Sequence, residues 1–343
     1  MSEAVDMRGR SLLTLSDMTD GEVTWLLDLA LKLKQDKHGG VCGQRLAGRH
    51  IALVFEKMST RTRCAAAVAA ADEGGRTEYL AASEIHLGKK ESVADTARVL
   101  GRMFDGILFR GYHQETVELL AQHGGVPVWN GLTDISHPTQ ALADLMTIKE
   151  YFGRLAGLTV VYAGDGRNNV ATSLMLGCAM SGMHFVNCTP ESLSPTDELI
   201  AHAAGMAAQR GGTVRVAHDP IEAVSGANVV YTDVWTSMGE EDQFDARVQL
   251  LKPYQVNMAL MQATGNLEAE QAIFLHCLPA FHDALTEVTC ATGALEVTDE
   301  VFEAPFSLVF DQAENRLHTI KALFVSSLER DKKSDKESVT SNQ

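Results

Sequence analysis

Five hydrogen-bond donors stand in a row at Ser59, Thr60, Arg61, Thr62 and Arg63, where the apolar run 51–55 gives way to an alanine-rich run from Cys64. A helix that starts there presents unbonded N–H groups and the positive end of its dipole, a setting suited to an anion. Arg61 adds a planar fork that matches phosphate or carboxylate, and the hydroxyls add further donors. Charge-assisted bonds are worth roughly 1.5–3 kcal/mol each, against ~0.3–2 kcal/mol for the dipole. Arginine and hydroxyls therefore dominate. Ser59 alone reads as an ordinary helix cap, but the quintet as a whole reads as a phosphate cradle.

Two other anion readers fail on spacing. G-x-x-x-x-G-K-[ST] is absent, which excludes a P-loop nucleotide site. The stretch YAGDGRNN places Gly164 and Gly166 after an apolar run, but a dinucleotide fingerprint requires its third glycine where Asn169 stands. The next apolar run ends in Asn187 and Cys188, with no acid for a ribose.

The elements that must position these residues alternate. Strands are predicted at 50–56, 77–81, 106–109, 127–130, 159–163, 184–188, 213–217, 229–232 and 273–276. Helices are predicted at 62–73, 92–103, 114–122, 139–151, 170–181, 197–209 and 256–264, with a last one at about 315–329. This alternation specifies an α/β fold of two domains, each a parallel sheet with helices on both faces, the second Rossmann-like. The pattern sets the domains at 1–152, completed by the last helix, and at 153–314, followed by a polar tail at 330–343. In such sheets ligands bind where loops leave the carboxyl ends of strands. Arg110, His137, Asp233 and Cys277 all follow predicted strands.

With 343 residues and a formal net charge of −16, the chain has no general attraction for nucleic acid or anionic membrane. No apolar run reaches the length of a membrane span. The opening 22 residues hold no apolar signal core, and Glu3 and Asp6 argue against a transit peptide. The six cysteines show no zinc-like spacing. A cytoplasmic protein with reduced thiols is expected.

FEKMSTRTR, HPTQ (137–140), DVWTSMG (233–239), HCLP (276–279) and ENRLHTIKAL (314–323) occur in that order. Together they resemble the aspartate/ornithine transcarbamoylase family, on the side of its ornithine-using members, over about residues 12–328. The resemblance implies transfer of a carbamoyl group from carbamoyl phosphate to the δ-amino group of ornithine, giving citrulline and phosphate, without a cofactor or metal. It also implies a homotrimer or a multiple of trimers.

By resemblance, Ser59, Thr60, Arg61 and Thr62 bind the phosphate, and Arg110 and His137 flank the carbamoyl group. Gln140 holds its amide end, and Arg316, Cys277 and Leu278 complete the carbamoyl phosphate set. His86, in the polar loop 83–92, is implied to reach a neighbouring subunit's carbamoyl phosphate. Asn169, Asp233, Ser237 and Met238 are assigned to ornithine, with Ser237-Met238-Gly239 as a closing loop. Arg61, Arg110, His137, Asp233 and Cys277 are the catalytic set. A lysine-like amine of pKa ~10.4 is about one part in a thousand neutral near pH 7.5, at a cost of ~4 kcal/mol. Nearby negative charge favours the ammonium, so Cys277 is assigned to orienting the amine or relaying its proton and not to covalent attack. The alternatives are another acceptor (aspartate, putrescine or an N-acylated ornithine), a non-catalytic relative that binds carbamoyl phosphate, and a dinucleotide oxidoreductase.

Overall fold

The structure is a computed structural model that describes residues 5–81, 83–85, 87–235 and 244–329. It holds two compact units. One comprises residues 5–13, 21–133 and 317–329 among those described, the other 14–20 and 134–316.

In the first unit, helix α1 (Asp20–His38) precedes β1 (His50–Phe55), α2 (Thr60–Asp72), β2 (Arg76–Ala81) and α3 (Val93–Met103). Strand β3 (Gly106–Arg110), α4 (Gln114–Gly124) and β4 (Val128–Leu132) follow. The four strands are parallel in the order β2-β1-β3-β4. Strand β1 is buried from Ile51 to Phe55, as a continuous apolar run requires of a central parallel strand. Helices α3 and α4 cross so closely that a Cβ at Gly101 would lie 1.6 Å from the Gly124 carbonyl oxygen. Only glycine fits that crossing.

The second unit runs through α5 (Pro138–Phe152), β5 (Thr159–Ala163), α6 (Asn169–Met180), β6 (His184–Cys188) and α7 (Asp197–Ala208). It continues through β7 (Thr213–Ala217), α8 (Pro220–Val224), β8 (Val229–Thr232), α9 (Phe244–Leu251) and α10 (Met258–Ala263). Strand β9 (Ile273–His276), α11 (Asp299–Phe302) and α12 (Val309–Leu328) are the last of the described elements. Its five parallel strands lie in the order β7-β6-β5-β8-β9. The division of the units falls within α12, after Arg316.

The α/β class and all nine predicted strands agree with the sequence pattern, to within two residues at their ends. The short helices α8, α9 and α11 were not predicted, and three larger features differ. Helix α1 has apolar residues at Val23, Leu26, Leu27, Ala30 and Leu33, a buried stripe at helical spacing that the strand–helix alternation left unread. Helix α12 starts six residues earlier than the pattern predicts, which brings Gln312 into it. The units part between Thr133 and Asp134, ahead of α5, because α5 packs on α6. The sequence pattern alone draws that line after the helix.

Each sheet has one switch point where neighbouring strands lead off in opposite directions. In the first it lies between β1 and β3; in the second, between β5 and β8. Crevices at such points are where parallel sheets bind ligands.

Candidate active site

In the first unit the donor run sits at its sheet's switch point. Phe55 at the end of β1 pairs with Arg110 at the end of β3. Ser59 is the N-cap of α2, in extended conformation, and its hydroxyl accepts the Thr62 N–H at 3.3 Å. Thr62 is fully buried, its hydroxyl 3.3 Å from that of Ser59 and 3.4 Å from the Arg110 guanidinium that donates to it. Thr60 is exposed and Arg61 half-buried on the same first turn. Arg63, the fifth donor, turns away and covers the Tyr79 ring at 3.8 Å, a cation–π contact. Glu56 of the same motif accepts the Tyr112 N–H at 3.0 Å, which ties the ends of β1 and β3 together. Ser59, Thr60, Arg61, Thr62 and Arg110 are thus one cluster of donors over a helix N-terminus.

The second unit holds the acid. Asp233, which follows β8, is buried and receives three hydrogen bonds among the described residues. Val234 N–H donates to its Oδ1 at 2.8 Å, the Cys277 thiol to the same oxygen at 3.0 Å, and the Asn168 amide to Oδ2 at 3.1 Å. Cys277 follows β9, beside β8, so adjacent strand ends deliver the pair. Asn168 was not legible as a site residue, though an asparagine before an apolar helical run signals an N-cap. Its Oδ1 does cap α6, accepting the Val170 N–H at 2.7 Å, while its amide nitrogen reaches Asp233. The neighbouring Asn169 is half-buried and its carbonyl accepts the Ser173 hydroxyl at 2.8 Å.

The loop from β5 to α6 is built for packing. A Cβ at Gly166 would lie 2.6 Å from Asn187 Oδ1 and 2.9 Å from the Leu193 carbonyl oxygen. The Gly166 N–H donates to Thr189 Oγ1 at 3.0 Å, and its carbonyl accepts from Asn187 at 3.1 Å. Gly166, whose spacing from Gly164 invited the dinucleotide reading, is thus bonded to Thr189 and Asn187. Next to them, buried Asp165 takes charge-assisted bonds from Arg167 and from buried Arg247, whose Nε also donates to the Trp235 carbonyl at 2.6 Å. Burial pulls the Asp165 carboxyl up, but the hydrogen bonds from Arg167 and Arg247 outweigh it and hold it below the usual carboxylate range.

His137 is buried as the N-cap of α5, ahead of Pro138 at the first helical position. Its N–H donates to Ser173 Oγ at 2.8 Å, and its Nδ1 lies 3.5 Å from Thr139 Oγ1. One turn further along α5, the Gln140 side-chain oxygen accepts from buried Arg316 at 3.1 Å.

After β9, the His276 ring braces the turn. Its Nδ1 accepts the Leu278 N–H at 2.9 Å, so its Nε2 carries the hydrogen that faces Glu296 at 3.3 Å. Leu278 is held at a φ of 59°, rare for leucine. Asp233, His276 and Cys277 bring possible metal-ligand atoms within 4.8 Å of one another. Both His276 nitrogens are already committed, however, which leaves the acid and the thiol. His86, Ser237 and Met238 lie outside the described residues.

The chain matches two family models. Residues 10–150 match the carbamoyl-P binding domain of aspartate/ornithine carbamoyltransferase, and residues 156–327 match its Asp/Orn binding domain. It is 54% identical to the catabolic ornithine carbamoyltransferase of Bacillus licheniformis, over 96% of this chain and 99% of that one. The catabolic enzyme of Bacillus cereus is 56% identical over 94% and 97%. Among solved structures, ornithine carbamoyltransferase from Pyrococcus furiosus superposes with a TM-score of 0.87 at 43% identity, covering 95% of this chain and 99% of that one. The Thermus thermophilus enzyme superposes at 0.79 with 40% identity over 93% and 99%. With a donor cluster at one switch point, an acid–thiol pair at the other and matches across nearly its whole length, the chain belongs to the aspartate/ornithine carbamoyltransferase family.

Proposed function

We propose that this chain transfers the carbamoyl group of carbamoyl phosphate to the δ-amino group of L-ornithine, giving L-citrulline and phosphate. The observation that carries the reading is the division of charge between the units. A turn rich in hydroxyl and guanidinium donors suits a phosphate, and a carboxylate beside a thiol suits an amine.

The reaction forms a C–N bond and breaks the C–O bond to phosphate, with one proton lost from nitrogen. Ser59, Thr60, Arg61 and Thr62 hold the phosphate and offset the charge it gains as it leaves. Arg110 and His137 stabilise negative charge on the carbonyl oxygen. Gln140 takes the carbamoyl NH2 on its side-chain oxygen, Arg316 steadies that amide, and Leu278 completes the carbamoyl phosphate set. Asp233, with Asn169, Ser237 and Met238, holds the amino acid, and Cys277 orients its reacting amine. Positive charge from arginines serves the role a metal would otherwise fill.

The domain about 1–152, completed by the last helix at about 315–329, binds carbamoyl phosphate and the domain about 153–314 binds ornithine. The family-model matches at 10–150 and 156–327 support that line, although α5 groups by packing with the second unit. The polypeptide acts as a homotrimer, or a multiple of trimers, in which His86 serves a neighbour's substrate. Its place is the cytoplasm; among the described residues no helix is long and apolar enough to cross a membrane. The Bacillus relatives are named catabolic, which supports a role in arginine metabolism.

Citrulline formation from carbamoyl phosphate and a panel of ornithine, N-acetylornithine, putrescine, lysine and aspartate tests the reading. Strong preference for ornithine supports it. Preference for another amine keeps the cradle and overturns the acceptor, and no turnover with any of them overturns the activity. Native mass in solution tests the trimer.

A further inference from the structure

Behind Gln140 lies a buried chain of side chains with no assigned role, all within the second unit. Asp144, one turn further along α5, is fully buried. Its Oδ1 accepts the Gln140 amide N–H at 2.8 Å and the Gln312 amide N–H at 2.6 Å, and the same Gln312 nitrogen lies 3.2 Å from the Tyr231 hydroxyl. The oxygen of Gln312 in turn accepts the backbone N–H of His276 at 2.9 Å, one residue before Cys277. Gln140 uses its own oxygen on Arg316.

The donor and acceptor rules leave Gln140 one orientation. A carboxylate only accepts and a guanidinium only donates. With Asp144 on one side and Arg316 on the other, Gln140 must turn its NH2 to Asp144 and its oxygen to Arg316. A flipped amide would set oxygen against carboxylate and nitrogen against guanidinium, losing both bonds and adding two repulsions. A carbonyl oxygen has two acceptor positions, and Arg316 takes one. The orientation therefore selects a hydrogen-bond donor, such as a carbamoyl NH2, as the group that Gln140 can recognise.

We infer that Asp144 and Gln312 are positioning residues for carbamoyl transfer, fixing which face of the Gln140 amide meets the substrate and tying it to the strand end that bears Cys277. The inference rests on the carbamoyl transfer reading above. Neither residue touches the reacting atoms; both act through Gln140, Arg316 and the His276 backbone. Gln312 is the joint, since one amide donates to the acid behind the carbamoyl-holding side chain and accepts from the backbone next to the thiol.

Asp144→Asn is the test variant, because the fold can tolerate it. Burial pushes the Asp144 carboxyl up to about 7, with hydrogen bonds from Gln140 and Gln312 and the charge of Arg316 pulling the other way. Its Oδ2 is buried without a hydrogen-bond partner. The isosteric amide thus replaces a group that is already partly neutral at pH 7. At pH 8 the carboxylate is the major form, and the substitution removes its charge-assisted bonds and lets Gln140 turn either way.

The measurement is steady-state citrulline formation at pH 8 with each substrate varied, alongside Tm. In Asp144→Asn the KM for carbamoyl phosphate should rise and kcat fall, with kcat/KM down by about tenfold, as loss of one charge-assisted bond implies. The KM for ornithine should stay within about twofold and Tm within roughly 4 °C. Gln312→Met should reproduce the kinetic loss, and the double variant should be little worse than the poorer single, because both act through one network. Wild-type kinetics in Asp144→Asn, or losses that multiply in the double variant, would overturn the inference. If Gln312→Met does not fold, Asp144→Asn decides alone. A wild-type chain that forms no citrulline would instead overturn the reading beneath the inference, and the inference with it.

Discussion

Replacing Arg247 with methionine breaks a buried ion pair. Arg247 and Asp165 are each 4% exposed, and the guanidinium bridges the Asp165 carboxylate and the Trp235 carbonyl. Methionine fills similar volume but supplies no donor, so Asp165 keeps only Arg167, whose side chain is 45% exposed. Breaking a buried pair by removing one partner costs about 3–5 kcal/mol, a large share of a total near ~5–15 kcal/mol. At about 2–4 °C per kcal/mol for a unit of this size, Tm at pH 7.5 should fall by roughly 6–20 °C.

The sign of the pH dependence follows from linkage. In the native protein Asp165 is held below its ordinary value by Arg167 and Arg247 against burial, so its contribution is present above the unfolded pKa and is lost as pH falls through the folded one. In the variant the Arg247 contribution is gone, so the folded pKa rises from its native position while Arg167 still opposes burial. The stability lost with Arg247 is therefore largest at neutral pH and shrinks as pH falls and the carboxyl takes up its proton. Thermal unfolding of both proteins from pH 7.5 to 5 should therefore show the Tm gap narrowing. A gap below about 2 °C at pH 7.5, or one that widens on acidification, would refute the buried-pair account.

Arg61→Ala removes up to two charge-assisted bonds to phosphate, about 3–6 kcal/mol, so kcat/KM for carbamoyl phosphate should drop by at least ~10² with Tm little changed; near wild-type kinetics would rule out the cradle. Cys277→Ala takes one of three donors from Asp233 and should leave measurable turnover, with a shifted ornithine KM and pH profile. Complete loss of turnover with both substrates still bound would make the thiol chemically essential. Gly166→Ala places a methyl group 2.6 Å from Asn187 Oδ1, and overpacking of about 1–3 kcal/mol should lower Tm by a few degrees; an unchanged Tm would show that the loop yields.

What was legible in the sequence is what depends on local pattern. A central parallel strand such as His50–Phe55 is a run of apolar residues because both its faces are covered. Proline after His137 marks a helix start in any context. What escaped is what only tertiary structure brings together. Asn168 reads as a helix cap, and its second role appears only when β8 places Asp233 within 3.1 Å. Asp144 and Gln312 carry no local signal, and only folding brings them together, 168 residues apart in sequence and 2.6 Å apart in space. Arg110, Asp233 and Cys277 stand at the ends of apolar strands, whereas Asp144 and Gln312 lie within helices, where a polar side chain carries no sign of which face it occupies.

The net charge of −16 shows why residue-level spacing outweighs composition at such a site. A chain this acidic repels a phosphate dianion at long range. That repulsion is screened beyond ~8 Å at physiological ionic strength, while donors at hydrogen-bond distance act unscreened. The first turn of α2 carries Arg61 and Arg63 and no acid, and Arg110 ends the strand beside it. Asp233 and Asp165, by contrast, lie in the second unit, where the proposed ligand is an ammonium. Separating opposite charges between two sheets lets each switch point favour one substrate charge. An acid among the first four residues of α2 would therefore harm carbamoyl phosphate binding far more than the same charge added on the distant surface.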